Sequence, residues 1–103
     1  MATDTIPTIP RSTYEDRLHR VQQALAAQDV DWLFLGPSAD LFYLTGFDAH
    51  VSERLNLLMV PRSGDPSLVV PRLEAPNVGD AAELVRMVTW EDHESPIASV
   101  ASV

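Results

Sequence analysis

Between residues 13 and 28 the apolar positions follow a helical period. Tyr14, Leu18, Val21 and Leu25 form one stripe, while Arg17, Arg20, Gln22, Gln23 and Gln28 lie off it. That spacing predicts an amphipathic helix laid over a sheet. Just before it, Ser12-Thr13-Tyr14-Glu15 matches a capping box, in which a hydroxyl and a carboxylate satisfy the first free amides of the helix. Asp31 to Leu35 (DWLFL) is a short apolar run closed by Gly36-Pro37, the pattern of a buried strand. Ser38 can cap a short helix reaching about Leu44, which Gly46 would stop in a left-handed conformation.

Two further apolar runs, Leu55 to Val60 and Ser67 to Val70, flank PRSGDP. With Gly64 among polar and Pro residues, that segment reads as a hairpin turn. Pro71 to Asp80 is a connection broken by Pro, Ala81 to Val85 can add a turn or two of helix, and Met87 to Trp90 is a fourth strand. Glu91 to Glu94 is a polar linker, and Ser95-Pro96 sets an N-cap before Pro at the first helical position. Ile97, Val100 and Ala101 begin an apolar face, and so short a helix is marginal alone. The expected organisation is an extended lead-in over 1–12, one domain over 13–94, and the start of a helix over 95–103 leading into a longer chain. Strands alternating with helices, plus one hairpin, predict a single α/β domain with a mixed sheet flanked by helices.

Composition narrows the chemistry. The chain has 103 residues, 46% of them apolar, enough for one core and too many for wholesale disorder. No apolar run reaches membrane-spanning length, and MATDTIPTIP lacks a secretory pattern. Cysteine is absent, which excludes disulfides and thiolate catalysis and fits a cytoplasmic home. All seven basic residues are Arg, set against fifteen acids for a net charge of −8. Such a surface repels phosphate backbones, so nucleic acid is not an expected partner. Without Lys there is no Schiff-base or P-loop lysine chemistry.

The densest group of reactive side chains is YLTGFDAHVSERL, Tyr43 to Leu55. Asp48, His50 and Glu53 are proper metal-ligand types, but their spacing matches no established metal signature. Three readings stay open: a metal site, a solvated polar loop, or a loop facing substrate or a partner subunit. His19 stands four residues after Glu15, the spacing of an exposed ion pair, and His93 sits among acids. Ser12, Ser38 and Ser52 lack a nucleophile-elbow context. Asp40 is a first-turn acid favoured by the helix dipole. Trp32, Phe34, Phe42 and Phe47 read as core rather than as a stacking surface for a cofactor; Phe47 stands apart because it follows the Gly that ends its helix. No complete catalytic constellation is visible.

In order, RLHRVQQALAAQDVDWLFL, GPSADLFYLTGF, DAHVSERLNLLMVP and LVVPRLEAP resemble the amino-terminal domain of the Xaa-Pro peptidases, the prolidase, aminopeptidase P and creatinase group. The likeness covers roughly 13–96; Tyr43 to Phe47 and Val70 to Glu74 are its most specific pieces. It implies a non-catalytic α/β domain ahead of a larger carboxy-terminal catalytic domain of pita-bread fold. That domain would hold two divalent metals (Mn, Co or Zn) on two Asp, one His and two Glu, and none of those ligand motifs occurs here. The implied partners are the chain's own catalytic domain and a second subunit in a homodimer. The resemblance also implies that Phe47, Asp48, His50, Glu53 and Arg54 form a loop limiting access to the partner's active site. A creatinase-type amidinohydrolase parent and a free-standing α/β interaction module are the alternatives.

Overall fold

The computed structural model describes residues 9–49, 54–91 and 95–103. Helix α1 (Arg11–Ala27) is followed by strand β1 (Trp32–Leu35), helix α2 (Ala39–Thr45) and the strands β2 (Leu57–Pro61) and β3 (Ser67–Pro71). Two 3-10 segments, Arg72–Asn77 and Gly79–Glu83, lead to β4 (Arg86–Trp90), and α3 (Pro96–Ala101) closes the chain. The strands form one mixed sheet in the order β1-β2-β3-β4. β1 and β3 each run antiparallel to β2, and β4 runs parallel to β3. The α/β fold with a mixed sheet is therefore as the alternating pattern predicts. Gly64 turns the β2–β3 hairpin at φ 96°.

The alternating strand positions divide between two faces. Leu33, Leu35, Leu58, Val60, Leu68, Val70 and Met87 point to one side, where Leu18, Leu25, Leu41, Leu44, Val78 and Ala81 cover them. The predicted stripe of α1 does this work through buried Leu18 and Leu25. Met59, Val69, Val88 and Trp90 point to the other side, against Val100 and Val103 at the chain's end. Each fully buried aliphatic side chain contributes about 1.5–3 kcal/mol, which makes the first face the main source of stability.

Three local expectations are corrected. The capping box does not form: α1 starts two residues earlier than the pattern suggested, with Pro10 at the N-cap and no side-chain cap. Arg11, the first helical residue, pairs with Glu15 at 3.5 Å and with Glu83 at 3.1 Å, the second a contact from across the fold. Glu15 thus faces Arg11 where the i,i+4 spacing suggested His19. Ser95 does take the N-cap of α3, with Pro96 following, but its hydroxyl makes no cap bond.

The third correction concerns three of the four aromatic residues read as core. β1 is an edge strand covered on one face only, so Trp32 and Phe34 stand 41% and 50% exposed, and Phe42 is 49% exposed. Phe47 alone of the four lies in the core as read, at 4%.

The turn from α1 to β1 is held by one cation. Arg62 donates to the carboxylates of Asp29 (2.9 Å) and Asp31 (3.3 Å) and to the Ala26 carbonyl (3.4 Å). The bond to Asp29, then that to Asp31, raises the Arg62 pKa above its ordinary value, so the guanidinium stays charged. Asp29 meanwhile adopts φ 57°, a left-handed conformation that Asp tolerates better than most residues.

Candidate functional site

The Tyr43-to-Phe47 motif is the end of α2 and the launch of the loop that follows. Ser38 caps the start of α2, its Oγ accepting from the Leu41 amide at 3.2 Å. At the other end Gly46 sits at φ 78°, and its N–H donates to the Phe42 carbonyl at 2.7 Å. Only glycine enters this conformation without steric cost. Thr45 is buried, and its hydroxyl donates to the Leu41 carbonyl (2.8 Å) while accepting from the Phe47 amide (3.1 Å). One side chain therefore ties the last turn of the helix to the first residue beyond it.

Helix α1 supports this turn from beneath. A Cβ placed on Gly46 would lie 2.9 Å from Tyr14 Oη. Arg17 donates to the Tyr43 carbonyl at 2.8 Å, and its guanidinium carbon stands 3.8 Å from the Tyr43 ring centroid and 5.6 Å from that of Tyr14. A cation at a helix C-terminus is favoured by the helix dipole, and its place against two tyrosine rings adds a cation–π attraction.

Past Phe47 the chain reaches the surface. Asp48 is exposed and lines two clefts. One, of about 300 Å³, is shared with Pro37, Ser38, Ala39, Phe42 and Ala49. The other, of about 320 Å³, is shared with Gly46, Phe47, Asn56, Glu74 and Asn77. His50, Ser52 and Glu53, like His93, lie outside the described residues.

The returning limb is pinned as well. Trp90 Nε1 donates to the Leu55 carbonyl at 3.1 Å. Asn56 is buried, with a long 3.5 Å contact from Nδ2 to the Arg54 carbonyl, and its Oδ1 has no hydrogen-bond partner among the described residues. The Val70-to-Glu74 motif frames the same side of the sheet. Arg72 pairs with Glu91 at 2.7 Å, and Glu74 accepts from Asn77 at 3.0 Å.

Of the five residues predicted for the loop, Phe47 and Arg54 form its two ends and Asp48 lies on the surface beside the first. Phe47 serves as an anchor in the core, so any role it has in the loop is indirect. Among the described residues, no three His, Asp or Glu side chains gather as a metal-binding group. The supports Tyr14, Arg17, Asn56 and Trp90 were not singled out from sequence. Arg17 lies 26 residues from the carbonyl it caps, and Trp90 lies 35 from its own; nothing local signals either contact. No helix among the described residues is long and apolar enough to cross a membrane.

The creatinase/prolidase N-terminal domain family matches residues 17–103. The probable dipeptidase PepE of Mycobacterium tuberculosis is 39% identical over 93 residues, 87% of this chain and 25% of its own length. The crystal structure of dipeptidase PepE from Mycobacterium ulcerans superposes with a TM-score of 0.85 at 33% identity, over 93% of this chain and 27% of that one. The N-terminal domain of an Xaa-Pro dipeptidase from Lactobacillus brevis gives 0.76 at 29% identity, over 84% of this chain and 64% of that one. The chain thus spans about a quarter of the full-length relatives it matches and about two thirds of the isolated domain. With its helix-ending YLTGF turn, its pinned loop and its mixed sheet, this chain belongs to the creatinase/prolidase N-terminal domain family, the amino-terminal domain of dipeptidase- and prolidase-type proteins.

Proposed function

We propose that this chain is the non-catalytic amino-terminal domain of a cytoplasmic, metal-dependent Xaa-Pro dipeptidase or aminopeptidase. In that role it contributes to the dimer and to substrate access at the partner subunit's active site. The observation that carries the proposal is the pair of fixed ends around residues 48–53. Thr45, Gly46 and Phe47 fix the outgoing limb, and Trp90 fixes the returning one. The two anchored limbs hold Asp48 and Arg54, the described residues that flank the predicted access loop, in fixed positions. Pre-positioning of that kind is what a substrate-selecting surface needs.

The metal chemistry belongs to the absent catalytic domain, whose two divalent ions (Mn, Co or Zn) would activate water and polarise the scissile carbonyl. This chain's part is to shape the entrance, with His50 toward the substrate and the neighbouring charges setting the local field. The dipeptidase names carried by the relatives favour a peptidase parent over a creatinase-type amidinohydrolase. The exposed Trp32 and Phe34 favour a domain that packs against more protein over a free-standing module.

The test is His50→Ala in the full-length enzyme, assayed on several Xaa-Pro peptides. The expected result is a raised KM, or a changed order of preference among substrates, with folding intact by circular dichroism. Unchanged kinetics on every peptide would remove His50 from the role.

A further inference from the structure

The cleft beside Phe47 draws oxygen-bearing side chains from three separate stretches of chain. Asp48 comes from the limb that leaves α2, Asn56 from the limb that enters β2, and Glu74 and Asn77 from the first 3-10 segment. The cleft measures about 320 Å³, and two carboxylates stand in its lining. No basic side chain lines it among the described residues. Arg72, two positions before Glu74, is engaged by Glu91 at 2.7 Å. Glu74 is half-buried and accepts from Asn77 Nδ2 at 3.0 Å, a bond that orients its carboxylate.

Two acids alone would make only a solvated surface; Asn56 adds an independent signal. It is 4% exposed, its Oδ1 has no hydrogen-bond partner among the described residues, and its Nδ2 makes only the long 3.5 Å contact. Folded proteins seldom leave a buried acceptor unsatisfied, and an ion is one of the partners that satisfies it. Beside two carboxylates, the partner that fits a lone amide oxygen is a cation. Carboxylate and amide oxygens are the ligands that hard divalent ions prefer. Calcium suits this set better than magnesium, because it accepts six to eight oxygens in flexible geometry and sheds water more readily. Two carboxylates and an amide also differ from the clusters of three or more acids or histidines that are absent among the described residues. The net charge of −8 further favours cations near the surface.

We infer that the cleft is a binding site for a hard divalent cation of calcium's kind, held by Asp48, Glu74 and the Oδ1 of Asn56, with water completing its shell. The ion ties the limb leaving α2, the limb entering β2 and the segment after β3 to one another. With two carboxylates the affinity is weak, a dissociation constant of roughly 10⁻⁴–10⁻³ M. All three ligands belong to this chain, so the site does not depend on the peptidase reading.

Titration of the 103-residue chain with CaCl2, followed by amide NMR shifts against NaCl of equal ionic strength, tests it. The expected result is a saturable shift at Asp48, Glu74, Asn77 and the Asn56 side-chain amide, with a matching rise in Tm. Asn56→Leu should weaken binding at least about tenfold, the smallest loss that disturbing a metal site typically brings. That substitution leaves the net charge alone, so general screening by calcium survives it and coordination does not. Glu74→Gln, which can still accept from Asn77, should weaken binding to a similar degree and serves if Asn56→Leu does not fold. Asn56→Asp adds a carboxylate to the site and should tighten binding. Shifts that spread over all the acids without saturating overturn the inference, as does an equal affinity in wild type and Asn56→Leu. No shift at Asn56 in the wild type overturns it too, and leaves water as the partner of the buried amide.

Discussion

Replacing Gly46 by Ala isolates what fixes the outgoing limb of the loop. The backbone there is at φ 78°, and a left-handed conformation costs a non-glycine residue roughly 1–2 kcal/mol. The new methyl would also lie 2.9 Å from Tyr14 Oη and 3.1 Å from Cζ. Turning that ring aside costs a further 0.5–1.5 kcal/mol or so as an off-rotamer side chain. Together these give about 1.5–3.5 kcal/mol, or a fall in Tm of roughly 6–28 °C for a domain of this size. Urea unfolding followed by far-UV circular dichroism measures it, with an unchanged slope confirming that only the folded state moved.

Two controls divide the effect. Gly64→Ala has the same left-handed penalty at φ 96° but meets open space, so it should cost only about 1–2 kcal/mol. Gly36→Ala, with neither constraint, should stay within about 0.5 kcal/mol. Tyr14→Phe in the Gly46→Ala background removes the nearest atom and should restore part of the loss. A Gly46→Ala cost no greater than that of Gly64→Ala would refute the role given to Tyr14. A cost below about 0.5 kcal/mol would refute the left-handed turn as the anchor.

The aromatic residues make a sharper contrast. Phe47→Ala should destabilise the chain by about 3–5 kcal/mol in chemical denaturation, because it empties a core site. Phe34→Ser should change the 103-residue chain by no more than about 0.5 kcal/mol, because that ring is half exposed at an uncovered edge. Asn56→Leu removes a buried acceptor that has no partner among the described residues, keeping the branching and number of heavy atoms, and should leave stability unchanged within about 1 kcal/mol or raise it. A loss of 2 kcal/mol or more in the same unfolding assay would mean that the amide makes a contact essential to the fold.

The local signals were legible in sequence wherever one residue's own chemistry decides. The period of Tyr14, Leu18, Val21 and Leu25 located α1 and its inward face. Ser38 and Gly46 bounded α2 because capping and left-handed turns depend on the residue in place, and Gly64 marked the hairpin for the same reason. The order of these pieces was enough to indicate the family. What sequence could not decide was which surface is covered. The same apolar run gives a buried strand at the centre of a sheet and a half-exposed one at its edge, and β1 proved to be at the edge. Likewise Phe47 went inward while Trp32, Phe34 and Phe42 did not, because burial is set by what packs opposite. α1 starts at Arg11, whose guanidinium meets Glu83, 72 residues away. The Arg17 and Trp90 supports arise the same way, from segments far apart in the chain meeting across the sheet. Capping, turn and period are encoded over a few neighbouring residues; coverage and support exist only once distant segments have come together.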